Sequence, residues 1–253
     1  MKEKKLKFSL VRVSAFAFAS VAVALFSGSP ASAKSEWVLE QHHHQSGYNT
    51  FYFTDDAIKV YAKNFGFYIV SKAPDWKVNA FRLDDKIISS MPRAKYYAFQ
   101  HFYPEKNPIN DGKPIGTETV WSVVCKQYTG VYHDDWVAQF KGITRPVWDL
   151  ISAHYKAQRV EGINLKSVKK AKAEPKRKLS QLWDEEVDSG VRLQTLKLKE
   201  IPYRASDFAI PTGFRVVKDL RQIMTSKESR REAESIIEQM GLGEALGGDA
   251  KKK

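Results

Sequence analysis

The chain has 253 residues, a formal net charge of +12 and a single cysteine, Cys125. One cysteine excludes an intrachain disulfide, so the stability of the fold must come from packing. The sequence contains no nucleic-acid-binding motif, phosphate-binding or dinucleotide glycine pattern, HExxH or GxSxG. The composition and motifs therefore favour a non-enzymatic protein without a cofactor.

Residues 1–33 are predicted to be a signal peptide. Val13 to Phe26 is an apolar run of the right size for its hydrophobic region and short for a membrane span. Ala31-Ser-Ala33 supplies a cleavage site before Lys34 and disfavours the alternative, an uncleaved N-terminal anchor. No cysteine follows for lipid attachment. We expect export to the periplasm or the extracellular space. The positive region before the apolar run contains Lys2, Lys4, Lys5 and Lys7.

The mature chain of 220 residues suits one domain, predicted over residues 34–240, and residues 241–253 are predicted to be a disordered tail. Removal of the signal peptide lowers the net charge from +12 to +8, because residues 1–33 hold five basic residues and one acidic residue. A positive exported protein is suited to anionic lipid headgroups or cell-surface polymers. Nucleic acid is not an expected partner.

From Thr50 onward the pattern predicts β-strands. Apolar residues alternate with polar ones over Ile58–Lys63 and continue after the turn at Asn64–Gly66, which indicates a hairpin with one apolar face. Further strands are predicted over Lys77–Leu83 and Lys86–Ser89.

The most apolar strand of the mature chain is predicted over Thr117–Tyr132. Its apolar residues occupy both alternating sets of positions, which indicates cover on both faces of the sheet. Cys125 is therefore expected to be a buried packing residue and not a reactive thiol. In Gly190–Lys199 the apolar positions change parity, which predicts a β-bulge near Gln194–Thr195.

A helix is predicted over Pro146–Gln158, capped by Thr144, with Val147, Leu150, Ile151 and His154 on one face. His154 on that face is interpreted as a hydrogen-bonded boundary residue, because no serine or cysteine nucleophile pattern accompanies it.

Two clusters of polar residues have both a functional and a structural interpretation. The triplet His42–His44 could ligate a metal, but adjacent side chains diverge, so exposed or partly paired histidines are favoured over a metal site. Asp55-Asp56, Asp84-Asp85 and Asp134-Asp135 could act in acid–base chemistry, yet adjacent aspartates are usually solvated turn residues.

A basic hairpin insertion is predicted at about residues 166–189. Lys166–Lys178 contains seven basic residues and one acidic residue. A solvated arm is the favoured interpretation. The alternative is a docking patch for an anionic membrane surface, on which each basic residue contributes about 1 kcal/mol.

Five segments of the sequence together form a family-like pattern: the Phe51–Val70 hairpin, Ala73-Pro-Asp-Trp76, Thr117–Tyr128, the helix before Gly162-Ile-Asn-Leu165, and Ile201-Pro202 with Ser206–Phe214. Their order resembles the LolA-like superfamily of periplasmic lipoprotein carriers and lipid-binding envelope proteins. The resemblance implies an α+β fold, a curved antiparallel β half-barrel with helices packed on its concave side and an apolar cavity for acyl chains. This chain departs from that pattern in lacking a clear long N-terminal helix.

We therefore expect a non-catalytic protein that binds an apolar or lipid-like ligand, or a lipid-modified partner, in an internal cavity. One alternative is a structural or interaction protein of the envelope with a packed interior. Another is a hydrolase using His154 or a metal at His42–His44. The residues predicted to face the cavity are Phe51, Phe53, Val60, Phe67, Ile69, Val78 and Val124.

Overall fold

The structure is a computed structural model in which residues 34–103, 114–130, 133–157, 161–170, 190–226 and 228–229 are described. The predicted signal peptide, the tail 241–253 and most of the basic insertion lie outside these ranges. None of the helices in the described ranges is long and apolar enough to cross a membrane.

The described residues form one twelve-stranded sheet with the strand order β12-β6-β5-β4-β3-β2-β1-β11-β10-β9-β8-β7. All neighbours pair antiparallel except β12 and β6. The strands are β1 (Ser35–His43), β2 (Gly47–Phe53), β3 (Ala57–Ala62), β4 (Phe67–Lys72), β5 (Lys77–Arg82), β6 (Ile87–Met91), β7 (Gly116–Val120), β8 (Val123–Thr129), β9 (His133–Ala138), β10 (Ile163–Lys169), β11 (Val191–Pro202) and β12 (Arg215–Val216).

The predicted half-barrel with helices on its concave side is wrong. The sheet is open, with β12 and β7 as its two edges. Within the described ranges the helices are three short segments: α1 (Arg93–Phe99), α2 (Arg145–Tyr155) and α3 (Arg221–Met224). Alternating apolar residues specify which side of each strand is buried, but how the strands pair across the sheet depends on contacts distant in sequence.

Both faces of the sheet carry buried apolar residues. The main core lies on the face against which α2 packs, through Val147, Leu150 and Ile151, and it includes Leu39, Phe51 and Ile69 from the strands. A second, smaller cluster contains Val70 and Phe81 and is closed by Phe208, which is fully buried. Phe208 lies on a 3₁₀ turn, Ala205–Phe208, in the connector after β11.

The predicted continuous strand Thr117–Tyr132 is instead a tight hairpin. β7 and β8 are joined at Trp121 and Ser122, which both have left-handed φ angles of 52° and 62°. Two-residue hairpin turns of type I′ require this conformation at both central positions, which asparagine and glycine usually occupy. The indole Nε1 of Trp121 donates a hydrogen bond to the Thr195 carbonyl oxygen at 2.8 Å, which holds the turn against β11.

Two local predictions are confirmed. The bulge in β11 is present at Leu196, which has no partner between the pairs Glu40–Lys197 and Gln41–Thr195. The helix α2 begins one residue before the predicted start. Its predicted cap differs, because the Thr144 hydroxyl donates to the Asp55 carbonyl oxygen at 2.8 Å and makes no capping hydrogen bond.

Candidate functional site

A pocket of about 610 Å³ opens in the described part of the chain. It lies where the β1–β2 and β3–β4 turns meet the C-terminal ends of α1 and α2 and the short helix α3. Its apolar walls are Phe65, Phe67, Phe99 and Met224. The polar lining residues are His43, Gln45, Ser46, Gln100, His101, His154 and Lys156.

A buried arginine positions the β3–β4 turn that carries Phe65. Arg82 is 2% exposed, and its Nη1 donates to the Phe65 carbonyl oxygen at 2.5 Å and to the Ile223 carbonyl oxygen at 3.4 Å. Its charge is balanced by the Asp84 carboxylate, at 2.6 Å. One side chain therefore ties the turn to α3 and holds two walls of the pocket together.

The proton position on His154 follows from its neighbour Asn49. The Asn49 amide nitrogen donates to the Gly47 carbonyl oxygen at 2.9 Å, so its Oδ1 is the atom facing His154 Nε2, also at 2.9 Å. An amide oxygen only accepts, so Nε2 carries the proton. Burial lowers the pKa of His154 to about 4. His154 is thus a neutral, hydrogen-bonded residue at neutral pH.

Tyr155 and His43 form the deeper wall. The Tyr155 hydroxyl donates to Gln41 Oε1 at 3.1 Å, and burial raises its pKa well above the ordinary value. The His43 ring stacks on Tyr155 with 4.8 Å between centroids. Burial, as the largest cause, and the neighbouring His44, Arg192 and His154 lower the pKa of His43 to about 3.

A second, smaller pocket of about 180 Å³ adjoins the first, and His43, Tyr155 and Lys156 line both. Its lining combines the polar residues His133, Asp135 and Arg192 with the apolar residues Ile151 and Leu193. Burial opposes ionisation of Asp135, but hydrogen bonds from His133, Ser167 and Asn164 outweigh it and hold the pKa of that carboxyl below its ordinary value.

The geometry suits binding better than nucleophilic catalysis. Among the described residues that line the larger pocket, one serine contacts a histidine: Ser46 Oγ lies 3.3 Å from His43 Nδ1. A histidine with a pKa of about 3 is a weak general base at neutral pH. Cys125 is fully buried, and burial raises the pKa of its thiol to about 11, as expected for a packing residue.

The three rings of the histidine triplet do not all diverge, because those of His43 and His44 lie 4.6 Å apart between centroids. His42 packs on Tyr48 with 4.8 Å between ring centroids, whereas His43 turns inward against Tyr155. In the ranges that the structure describes, no group of three His, Cys, Asp or Glu side chains is arranged to hold a metal ion.

Six of the seven residues predicted to line a cavity are buried in the main core, at 0–2% exposure. Of these, Phe67 lines the larger pocket, and their role in ligand binding stays a prediction. The expected inward orientation of Val124 is wrong, because it is 68% exposed while the adjacent Cys125 faces the core. The turn at Trp121–Ser122 sets this register. The other five core residues are Phe51, Phe53, Val60, Ile69 and Val78.

Sequence reasoning missed most of the pocket, because turns and helix ends contribute its walls. Phe65 and Phe99 are large aromatic residues that remain 42% and 37% exposed. An aromatic residue inside the Asn64–Gly66 turn was the available signal, since turn positions usually hold small polar residues.

No family model matches the chain, and no curated protein matches it. Among solved structures, it is similar to a conserved, uncharacterized protein from Thermus thermophilus, at 8% sequence identity. That similarity covers 75% of this chain and 92% of the other, with a TM-score of 0.31. A TM-score this low supports no argument about fold or function.

Proposed function

We propose that this is an exported, non-catalytic protein that binds an apolar or lipid-like ligand, or the lipid of a modified partner, in the 610 Å³ pocket. The observation that carries the proposal is the pocket itself, an opening of ligand size walled by phenylalanines and a methionine. The lowered pKa values of His43 and His154 support it, because both rings stay neutral and do not repel an apolar ligand by charge.

The apolar walls of the pocket can supply a sizeable free energy of binding to an alkyl chain. Each methylene that leaves water for an apolar wall contributes about 0.8 kcal/mol. A chain of about ten carbons therefore gains up to about 8 kcal/mol before the cost of immobilisation.

Binding of a neutral fluorescent probe tests the proposal. The probe N-phenyl-1-naphthylamine should bind the mature protein saturably, with enhanced emission. Ala98→Trp should weaken binding at least about tenfold, because Ala98 lines the pocket from an exposed helical position and the indole would occupy it. Ala94→Trp is the matched control, one helical turn earlier, also exposed and outside the lining.

Two results would count against this function. Absence of saturable binding, with no lipid co-purifying in mass spectrometry, would leave the alternative of an envelope interaction protein with a packed interior. Equal binding by Ala98→Trp and Ala94→Trp would show that the probe binds elsewhere.

We also propose Lys166–Lys178 as a contact with an anionic membrane surface. Residues 171–178 lie outside the described ranges. Among the described lysines, Lys166 pairs with Glu118 at 3.1 Å and Lys170 with Asp134 at 3.4 Å, which lowers their availability. Co-sedimentation with phosphatidylglycerol vesicles, lost when Lys172, Lys176, Arg177 and Lys178 become Gln, is the expected result; unchanged sedimentation would remove the proposal.

A further inference from the structure

We infer that the ligand of this site is a single-chain amphiphile with an anionic head, a carboxylate or a phosphate, which Arg192 and Lys156 bind while the chain occupies the larger pocket. This inference rests on the proposed function, and it names the ligand class. The two pockets have three residues in common. The larger one has phenylalanine walls, and the smaller one adds Arg192, His133 and Asp135 to a lining that also contains Ile151 and Leu193.

The charge of Arg192 is not neutralised by direct contact with a carboxylate of the described residues. Its Nη1 donates to His133 Nδ1 at 3.0 Å. A guanidinium group cannot accept, so His133 Nδ1 is the acceptor and its proton sits on Nε2, which donates to Asp135 Oδ2 at 3.1 Å. The His133 ring therefore stands between the guanidinium of Arg192 and the carboxylate of Asp135.

Asp135 does not block an anion from Arg192. Its two oxygens are occupied by donors, Oδ2 by His133 and Oδ1 by the Asn164 amide nitrogen at 2.7 Å. Asp135 is 4% exposed, whereas Arg192 is half-buried on β11 and lines the pocket with donors to spare. A guanidinium presents five N–H groups, and its planar geometry matches a carboxylate or a phosphate.

Lys156 connects the two pockets. It follows the last residue of α2 in a left-handed conformation, with φ of 50°, and it lines both spaces. No carboxylate in the described ranges lies within 4.0 Å of its ammonium group. In the lining of the smaller pocket, Lys156 and Arg192 carry two positive charges against the single negative charge of Asp135. His43, which lines both pockets, is neutral at neutral pH.

Three ligands with the same ten-carbon chain separate the contribution of the head group to the binding affinity: decanoate, decyl phosphate and 1-decanol. Each is titrated against N-phenyl-1-naphthylamine bound to the mature protein at low salt. We expect both anions to bind roughly tenfold more tightly than the alcohol, as a charge-assisted hydrogen bond predicts. The advantage should shrink at high salt, because the head-group end of the site is reached by solvent. The tighter of the two anions identifies the head.

Arg192→Gln should remove most of the preference for the anions while leaving 1-decanol binding unchanged. Lys197→Gln is the control, on the same strand and paired with Glu40 at 2.9 Å outside both linings. If Arg192→Gln does not fold, Lys156→Gln at an exposed position should reduce the preference in the same direction.

The binding results distinguish failure of the anionic-head inference from failure of the proposed function. Equal affinity for decanoate, decyl phosphate and 1-decanol in the unmodified protein, unaffected by Arg192→Gln, overturns the anionic head and leaves the apolar pocket standing. Failure of all three ligands and of the probe overturns the proposed function itself.

Discussion

Replacement of Glu36 by glutamine should stabilise the protein above pH 7 and leave it nearly unchanged near pH 4.5. Glu36 is fully buried on β1, and its Oε1 has no hydrogen-bond partner in the part of the chain that the structure describes. Burial, as the largest cause, and a hydrogen bond with Asp207 raise its pKa from 4.5 to about 7, while the Arg204 amide opposes this. At neutral pH and above, folding therefore requires a buried carboxylate beside a second acid.

The magnitude follows from linkage between protonation and folding. In the window from about pH 4.5 to 7 the folded protein binds the proton of Glu36 more tightly than the unfolded chain. This contribution to stability is complete below pH 4.5 and is lost as pH rises through 7. At about 1.4 kcal/mol per pKa unit, the loss is at most about 3.5 kcal/mol, and glutamine avoids it. We expect a gain of roughly 1–3 kcal/mol at pH 8.

Urea unfolding at pH 4.5 and pH 8 measures the effect. The free energy of unfolding of Glu36→Gln should exceed that of the unmodified protein at pH 8 and match it within about 0.5 kcal/mol at pH 4.5. Glu40→Gln is the control, four residues along the same strand, where the side chain is 39% exposed and pairs with Lys197. A difference for Glu36→Gln that is equal at both pH values would refute the reasoning, since titration could not cause it.

Three further substitutions or reactions test other parts of the fold. Cys125, with a pKa of about 11, should resist a disulfide reagent at pH 8 until urea unfolds the protein; rapid reaction of the native thiol would contradict its burial. Ser122→Gly should raise the free energy of unfolding by about 0.5–1 kcal/mol, because glycine accepts the φ of 62° without strain. A lower melting temperature of the variant in thermal denaturation would contradict this. Arg82→Met should lower stability by about 1–3 kcal/mol, since it removes the hydrogen bonds that hold the carbonyl oxygens of Phe65 and Ile223; denaturant unfolding that shows no loss of stability would contradict this role.

Local features of the fold were predictable, because they depend on neighbours in sequence. The hairpin β3–β4, the helix α2 and the bulge at Leu196 follow from spacing and parity within short windows. The open sheet did not follow, since β1 pairs with β11 across more than 150 residues. The turn at Trp121–Ser122 escaped notice because neither residue favours a left-handed conformation.

The candidate site was harder to predict than the fold. Buried phenylalanines such as Phe51 and Phe53 are conspicuous in an alternating strand, yet they fill the core and do not line the pocket. The pocket walls come from turns and helix ends, where exposure depends on how far separate segments approach each other. Arg192 sits in an ordinary strand, and its role depends on His133, which is 59 residues away.

The pairing of β1 with β11 has a consequence for how the protein acquires its structure. β2 to β6 form a meander of neighbouring hairpins that closes over short loops, whereas β1 gains its second partner only from near the other end of the chain. Ring closure over such a distance slows folding. If the chain is exported as its first 33 residues predict, the central seam of the sheet can form only after β11 has emerged on the far side, so translocation precedes completion of the core.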